Sequence, residues 1–210
     1  MKLVIVFFFI FSISNTCSAE ATKTGIKLDK PWKVAIYQFS KDKLQHSAWG
    51  LSHYERNYLI SKQIAELEDI EIDDDVLFAT AFLHDIGVFE PYVIEGAEHS
   101  KTATENIVNI LQPSGFPMDK INEVNASIMS HMFYAKVSKN DLARIFHDAD
   151  TLDFLGYIGI ARIISLTTRD DWATDLTAAI NTIERFNNTL PKKLIFKSSK
   201  KIAKKRVKEA

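Results

Sequence analysis

The sequence predicts an all-α domain, and three observations carry that prediction. Apolar residues recur at spacings of three, four and seven along most of the chain, while the strict alternation of a half-buried strand is almost absent. Turn-forming residues are sparse, with seven glycines and five prolines in 210 residues, so they can punctuate only long segments. Acidic residues also stand where a periodic segment begins, as in Glu71-Ile72-Asp73-Asp74-Asp75, and there they suit the positive end of a helix.

A chain that is 46% hydrophobic and 25% charged is ordinary for one soluble domain with a real core. A single cysteine excludes an intramolecular disulfide. The formal net charge of −1 hides an uneven distribution: nine Lys or Arg lie between Lys192 and Lys208, so the remainder is clearly acidic.

Residues 1–21 read as a signal peptide. Lys2 supplies a positive start, residues 3–13 are apolar, and Cys17-Ser18-Ala19 and Ala19-Glu20-Ala21 both suit cleavage. The stretch is short for a bilayer span. Export to the periplasm or beyond is therefore expected, and the mature chain has no thiol. A buried first helix, or a lipoprotein acylated at Cys17 behind a poor lipobox, are the alternatives.

Residues 22–41 read as an irregular lead-in. A first helix is expected over 42–68, broken near Gly50, and a second over 74–86, stopped by Gly87. A loop held by Pro91 and Gly96 leads to a third helix over 97–111, which ends in Gln112-Pro113-Ser114-Gly115. A fourth is expected over 118–133. A fifth starts near Ser138 or Asn140 and continues past Gly156 and Gly159 towards Ser165; a sixth covers 171–190. Residues 22–190 thus form the domain. Residues 191–210 read as a solvated basic tail: Leu194, Ile195, Phe196, Ile202 and Val207 make a cluster and two outliers rather than a helical stripe. Its expected partner is an anionic surface, held weakly and electrostatically, and truncation after Pro191 is expected to leave activity intact.

Polar residues on apolar faces point to chemistry. His53 lies in a stripe with Trp49, Ile60, Ile64 and Leu67. His84 aligns with Leu77 and Thr80, with Asp85 beside it. His99 lies four residues before Ala103, and His131 three after Ile128. Asp150 lies four after Phe146, with Asp153 close behind. One such histidine is ordinarily a hydrogen-bonded core residue. Five helices each turning a metal-capable side chain inward leave imidazoles and carboxylates unsatisfied unless a cation joins them.

The ordered set His53 in "HYER", His84 and Asp85 in "LHDIG", and Asp150 in "HDADTLDFLG" resembles the HD superfamily of metal-dependent phosphohydrolases over about residues 45–165. "GAEHS" with His99 and "IMSHM" with His131 resemble the intermediate histidines of part of that superfamily. "ADTLDFLGYIGIAR" is similar to the "ADRLDALGAIGIAR" segment of small bacterial HD hydrolases, with Thr151 where many relatives carry arginine. The resemblance implies an HD-domain helical bundle. It implies that His53, His84, Asp85 and Asp150 bind a divalent ion (Mn, Fe, Co, Ni, Mg or Zn), and that His99 and His131 bind substrate phosphate, move protons or complete a second metal site. His84, Asp85, His99 and His131 would then be catalytic and a nucleotide or other small phosphate ester the substrate. "HYERNYLI…AFLHDIG…GAEHS" also has some likeness to the cyanamide-hydratase-like branch, which implies hydration or carbon–nitrogen hydrolysis. A non-catalytic binding module is the third reading, and the intact ligand set counts against it. No phosphate-cradling glycine loop, Ser-His-Asp set or nucleic-acid motif is present.

Overall fold

The computed structural model describes residues 20–167 and 173–209. Within them the regular structure is helical apart from a two-residue antiparallel ladder, which pairs Glu20 with Leu28 and Ala21 with Lys27. The helices are α1 (Pro31–Lys43), α2 (Leu51–Leu67), α3 (Asp74–Leu83), α4 (His99–Asn106), α5 (Val108–Ser114), α6 (Ile121–Ser130), α7 (Asp141–Leu152), α8 (Gly156–Ile164), α9 (Leu176–Thr189) and α10 (Lys197–Val207). The signal peptide expected over residues 1–21 lies almost entirely outside the described residues.

Four helices make the frame: α2 packs on α3 and α7, and α6 packs on both α3 and α7. α3 is the innermost, with every residue from Asp75 to Leu83 buried. Its first turn is closed by Asp73, whose carboxylate accepts from the amides of Asp75 and Val76 at 2.9 and 3.1 Å. On one side of the frame Trp32 meets Phe78 and Phe116 edge to face at 5.5 and 5.0 Å. On the other, Ile145, Leu152, Phe154, Ile163, Phe186 and Phe196 form a second apolar cluster.

The structure corrects four expectations. Residues 31–43 are a helix, not a lead-in: Pro31 sits in its first turn, and Trp32, Ile36 and Ser40 form a buried stripe at intervals of four. The first expected helix starts only at Leu51, after the break expected near Gly50, because the His46 ring intervenes. Its Nδ1 accepts from the amides of Ala48 and Trp49 at 3.1 and 3.3 Å, and the chain re-enters helix only at Leu51. The fifth helix likewise ends at Leu152, and the chain turns through Gly156 at φ 73° before α8 begins. The fourth correction concerns the tail.

Residues 191–209 are folded onto the domain. Leu194 and Phe196 are buried in the second cluster, and α10 packs on α7, α8 and α2. The anchor is Asp148, whose carboxylate accepts from the backbone amides of Ile195 (2.9 and 3.0 Å) and Phe196 (2.9 Å). Two further bonds hold the helix. Glu68 accepts from the Ser198 amide at 2.7 Å, and Arg206 donates to the Leu152 carbonyl at 2.6 Å, capping the buried C-terminal end of α7. Helical periodicity misses this arrangement because the apolar residues 194–196 dock as a non-helical lead-in before α10 starts.

Candidate metal centre

The frame gathers the polar residues singled out above at one end of α3. His53 projects from α2. His84 is the last residue in helical conformation at the end of α3, and Asp85 follows with φ −95° and ψ 8°. That departure from helix cancels the divergence of about 100° between adjacent helical side chains, so both residues of the pair reach the same space. His131 stands in the matching position at the end of α6, His99 opens α4, and Asp150 comes from α7. Gly87 makes the last approach possible: a Cβ there would lie 2.2 Å from the His99 carbonyl oxygen.

The resulting distances are short. His53 Nε2 lies 3.2 Å from His84 Nε2, 3.3 Å from Asp150 Oδ1 and 3.5 Å from Asp85 Oδ2, and His84 Nε2 lies 3.2 Å from Asp85 Oδ2. The other Asp85 oxygen, Oδ1, is 3.6 Å from the Nε2 atoms of both His99 and His131, which are themselves 3.2 Å apart. One carboxylate therefore stands between two imidazole pairs. All of these side chains are buried except His99, which is 18% exposed.

The hydrogen bonds at the far side of each ring decide what the near side offers. Nδ1 faces an acceptor in every case: Asp153 Oδ2 for His53 at 2.8 Å, the Ala81 carbonyl for His84 at 3.1 Å, the Ile128 carbonyl for His131 at 2.6 Å and Glu98 Oε1 for His99 at 3.3 Å. Nδ1 is thus the protonated nitrogen of the neutral ring, and Nε2 turns its lone pair inward. Lone pairs 3.2 Å apart, beside two carboxylates, repel unless something positive sits between them. In the metal-free protein that something is a proton. Burial, the largest influence, and Arg162 both depress the His53 pKa, yet Asp150, Asp153 and Asp85 together outweigh them and raise it to about 9. Burial opposes ionisation of Asp150 and Asp85 as well, but the facing imidazoles hold Asp150 at about 2 and Asp85 well below the carboxylate range. A proton serves one of these acceptors at a time, whereas a divalent cation serves several, so the donor set fits a metal ion. The groups His53–His84–Asp150 and His84–Asp85–His131 each bring three ligand atoms within 4.8 Å of one another.

Behind the ligands lies a support that sequence reasoning did not assign. Asp153, fully buried, receives Arg56 Nε at 2.7 Å on Oδ1, and on Oδ2 Arg56 Nη2 at 2.7 Å, Arg162 Nη1 at 3.0 Å and His53 Nδ1. Burial pushes its carboxyl up, but Arg162, Arg56 and His53 prevail and keep it ionised far below the usual range. Arg162 is fixed in turn by the Ala48 carbonyl at 2.8 Å and lies over the rings of Phe154 and Trp49. Asn57 donates to Asp150 Oδ1 at 3.0 Å. The signal for Asp153 and Arg162 was present in "LDFLGYIGIAR", where both are charged residues among apolar ones. Asp85, His99 and Asp150 open onto a cavity of about 440 Å³ whose walls include Trp49, Phe89 and Tyr134.

The HD-domain family matches residues 50–155, which span the six clustered His and Asp residues and Asp153. The chain belongs to the HD-domain family. Its structure is similar to that of a Lactobacillus plantarum protein (TM-score 0.61, 23% identity, 84% of this chain and 90% of that one) and to one described as a predicted HD superfamily hydrolase from an uncultured Thermotogales bacterium (0.57, 23%, 84% and 83%). It is also similar to Bacillus subtilis YpgQ in complex with ADP (0.60, 19%, 84% and 88%). At these identities the likeness concerns the fold. Comparison with curated proteins returned no match. Family membership and the buried His/Asp groups together support a metal-dependent hydrolase of the HD type in general.

Proposed function

We propose that this HD domain is a metal-dependent phosphohydrolase acting on a nucleotide or another small phosphate ester after export. The observation that carries the proposal is the Asp85 carboxylate between two imidazole pairs, Oδ2 towards His53 and His84 and Oδ1 towards His99 and His131. His53, His84, Asp85 and Asp150 would hold one divalent ion, which when bound polarises a phosphoryl oxygen and acidifies a water. His99 and His131 meet Asp85 Oδ1 and suit a second cation. Two cations clamp both the attacking and the leaving oxygen of an in-line displacement.

The protein's own groups supply orientation and proton handling. Asp153 fixes the His53 ring, and the carbonyls of Ala81 and Ile128 fix His84 and His131. Of the four clustered imidazoles His99 is the one that lines the cavity, with Glu98 facing its Nδ1. Its Nε2 is placed to bind a phosphoryl oxygen or to pass a proton. The Tyr134 phenol is pushed up to about 12 by burial, Glu98, Asp85 and Asp150, so it stays protonated as a donor at the cavity wall. Trp49 and Phe89 give the cavity an aromatic wall against which a base could pack, and the similar Bacillus subtilis structure contains ADP.

One observation favours a second reading, hydration or carbon–nitrogen hydrolysis. Among the described residues that line the cavity none is Lys or Arg, which suits a substrate of low charge. Metal analysis of the purified protein, followed by phosphate release from a nucleotide panel with Mn²⁺, Mg²⁺, Fe²⁺, Co²⁺ or Ni²⁺, separates the two. We expect two ions per chain, phosphate release from a subset of the panel, and loss of both metal and turnover in Asp85→Ala. A metal-loaded protein that releases no phosphate but hydrates nitriles or releases ammonia from amides overturns the phosphohydrolase reading. Full metal content and turnover in Asp85→Ala overturn the site itself.

A further inference from the structure

The C-terminal helix carries charge that the fold does not use. Along α10 and its C-cap, lysines occupy positions 197, 201 and 205 on one line and 200, 204 and 208 on the next, all exposed. These intervals of three and four place like charges side by side, which works against the helix. No acid stands in its first turn, where Lys197 faces the positive end of the helix dipole. Among the described residues the lysines in close ion pairs lie elsewhere, at positions 30, 33, 62, 101 and 120, and Lys197 acts on Glu68 only at longer range. The helix is nevertheless held rigidly, by Ala203 in the core, Arg206 on Leu152, and Asp148 at the entry to the helix. Lys197, Lys201 and Lys205 also line a groove of about 760 Å³ against Gln63 and Glu68 of the α2 end.

We infer that this face docks on an anionic lipid bilayer. Repulsion among fixed lysines is relieved by a surface of closely spaced negative charge, and a bilayer supplies one at about 1 kcal/mol per lysine. The apolar side of α10 is already covered by α7 and α8, so the helix lies on the headgroups and does not insert. Nucleic acid fits less well. The outward side chains are lysines, with no exposed aromatic ring on the helix for base stacking, and its single arginine is committed to Leu152.

The test is co-sedimentation of the full-length protein, without its signal peptide, with vesicles. One set is phosphatidylcholine alone and the other contains about one third phosphatidylglycerol. Binding is expected only to the second set and should fade as NaCl rises from about 0.05 to 0.5 M. K200Q/K204Q/K208Q on the outer line and K197Q/K201Q/K205Q on the groove line should each weaken binding on the order of a hundredfold, roughly fivefold per lysine. Neither should lower the thermal midpoint, because every replaced side chain is exposed and the substitutions relieve like-charge repulsion; should one unfold, the other still decides. Equal binding to neutral vesicles, no binding to anionic ones, or unchanged binding in a folded triple variant overturns the proposal. So does tighter and more salt-resistant binding to single-stranded DNA or RNA homopolymers than to vesicles.

Discussion

Replacing Asp153 by Asn separates charge from shape at the support behind the metal centre. The aspartate takes four N–H groups on two oxygens: two from Arg56, one from Arg162 and one from His53, at 2.7 to 3.0 Å. An amide of the same size has one acceptor oxygen, and its NH₂ must oppose at least one of these donors. Arg162, 4% exposed, keeps its charge but loses its counter-ion. Breaking a buried pair in this way costs about 3–5 kcal/mol. Arg56 is partly exposed and recovers some hydration, so the lower end is expected for the folding equilibrium. A second effect falls on His53, whose Nδ1 anchor weakens while Arg162 stands uncompensated nearby. Loss of such an orienting partner lowers metal affinity by about 10- to 100-fold. Urea unfolding of the metal-free protein reads the first effect, and titration with Mn²⁺ or Zn²⁺ monitored by calorimetry reads the second. Stability within about 1 kcal/mol of wild type together with metal affinity within about threefold would show that the Asp153 network neither holds the fold nor aims His53.

Gly87→Ala places a methyl 2.2 Å from the His99 carbonyl oxygen, so α4 must retreat; we expect a loss of about 1–3 kcal/mol and a larger loss of turnover than of the first metal ion, both absent if α4 does not set the second pair. The His53 pKa of about 9, against 6.5 unfolded, contributes about 3 kcal/mol to the metal-free protein. That contribution is fully present below pH 6.5 and is lost as pH rises through about 9, while Asp150 and Asp85 contribute above about pH 4 and lose their share as pH falls towards 2. A metal ion must displace the His53 proton, so the rise in thermal midpoint on adding metal should grow from pH 6.5 to 9, and an increment independent of pH contradicts the proton's placement. Truncation after Pro191 removes two buried large side chains, Leu194 and Phe196, and takes both backbone-amide partners from buried Asp148, leaving it His147; a loss of at least about 4 kcal/mol is expected in chemical unfolding, and an equally stable truncated protein would return these residues to solvent.

The ligands were more legible in the sequence than their supports. His53, Asp150 and His84 announce themselves because a polar residue inside an apolar helical stripe is locally visible, and the structure brings all six singled-out residues into one cluster. Asp153 was noted only as a neighbour of Asp150. Its partners Arg56 and Arg162 lie 97 and 9 positions away, and nothing in a helical period reports a bond across 97 residues. α1 escaped notice because its buried face mixes Trp32, Ile36 and Ser40 with the aliphatic stem of Lys33, whose ammonium reaches Asp74 at 2.8 Å. The C-terminal segment was misread for a related reason. Nine cations dominate its composition, whereas its docking depends on two backbone amides and a carboxylate 47 residues earlier.

The order in which the chain is made gives the Asp148–Asp150–Asp153 stretch of α7 another meaning. Synthesis runs from the N-terminus, so four imidazoles exist before any of these three carboxylates does. His53 waits 100 residues for Asp153, and Asp148 waits a further 47 for Ile195. Contacts of such separation form slowly because long loops must close first. The histidines therefore have Asp85 as their one early counter-charge, and the ligand set is complete only once α7 has supplied Asp150 and, behind it, Asp153.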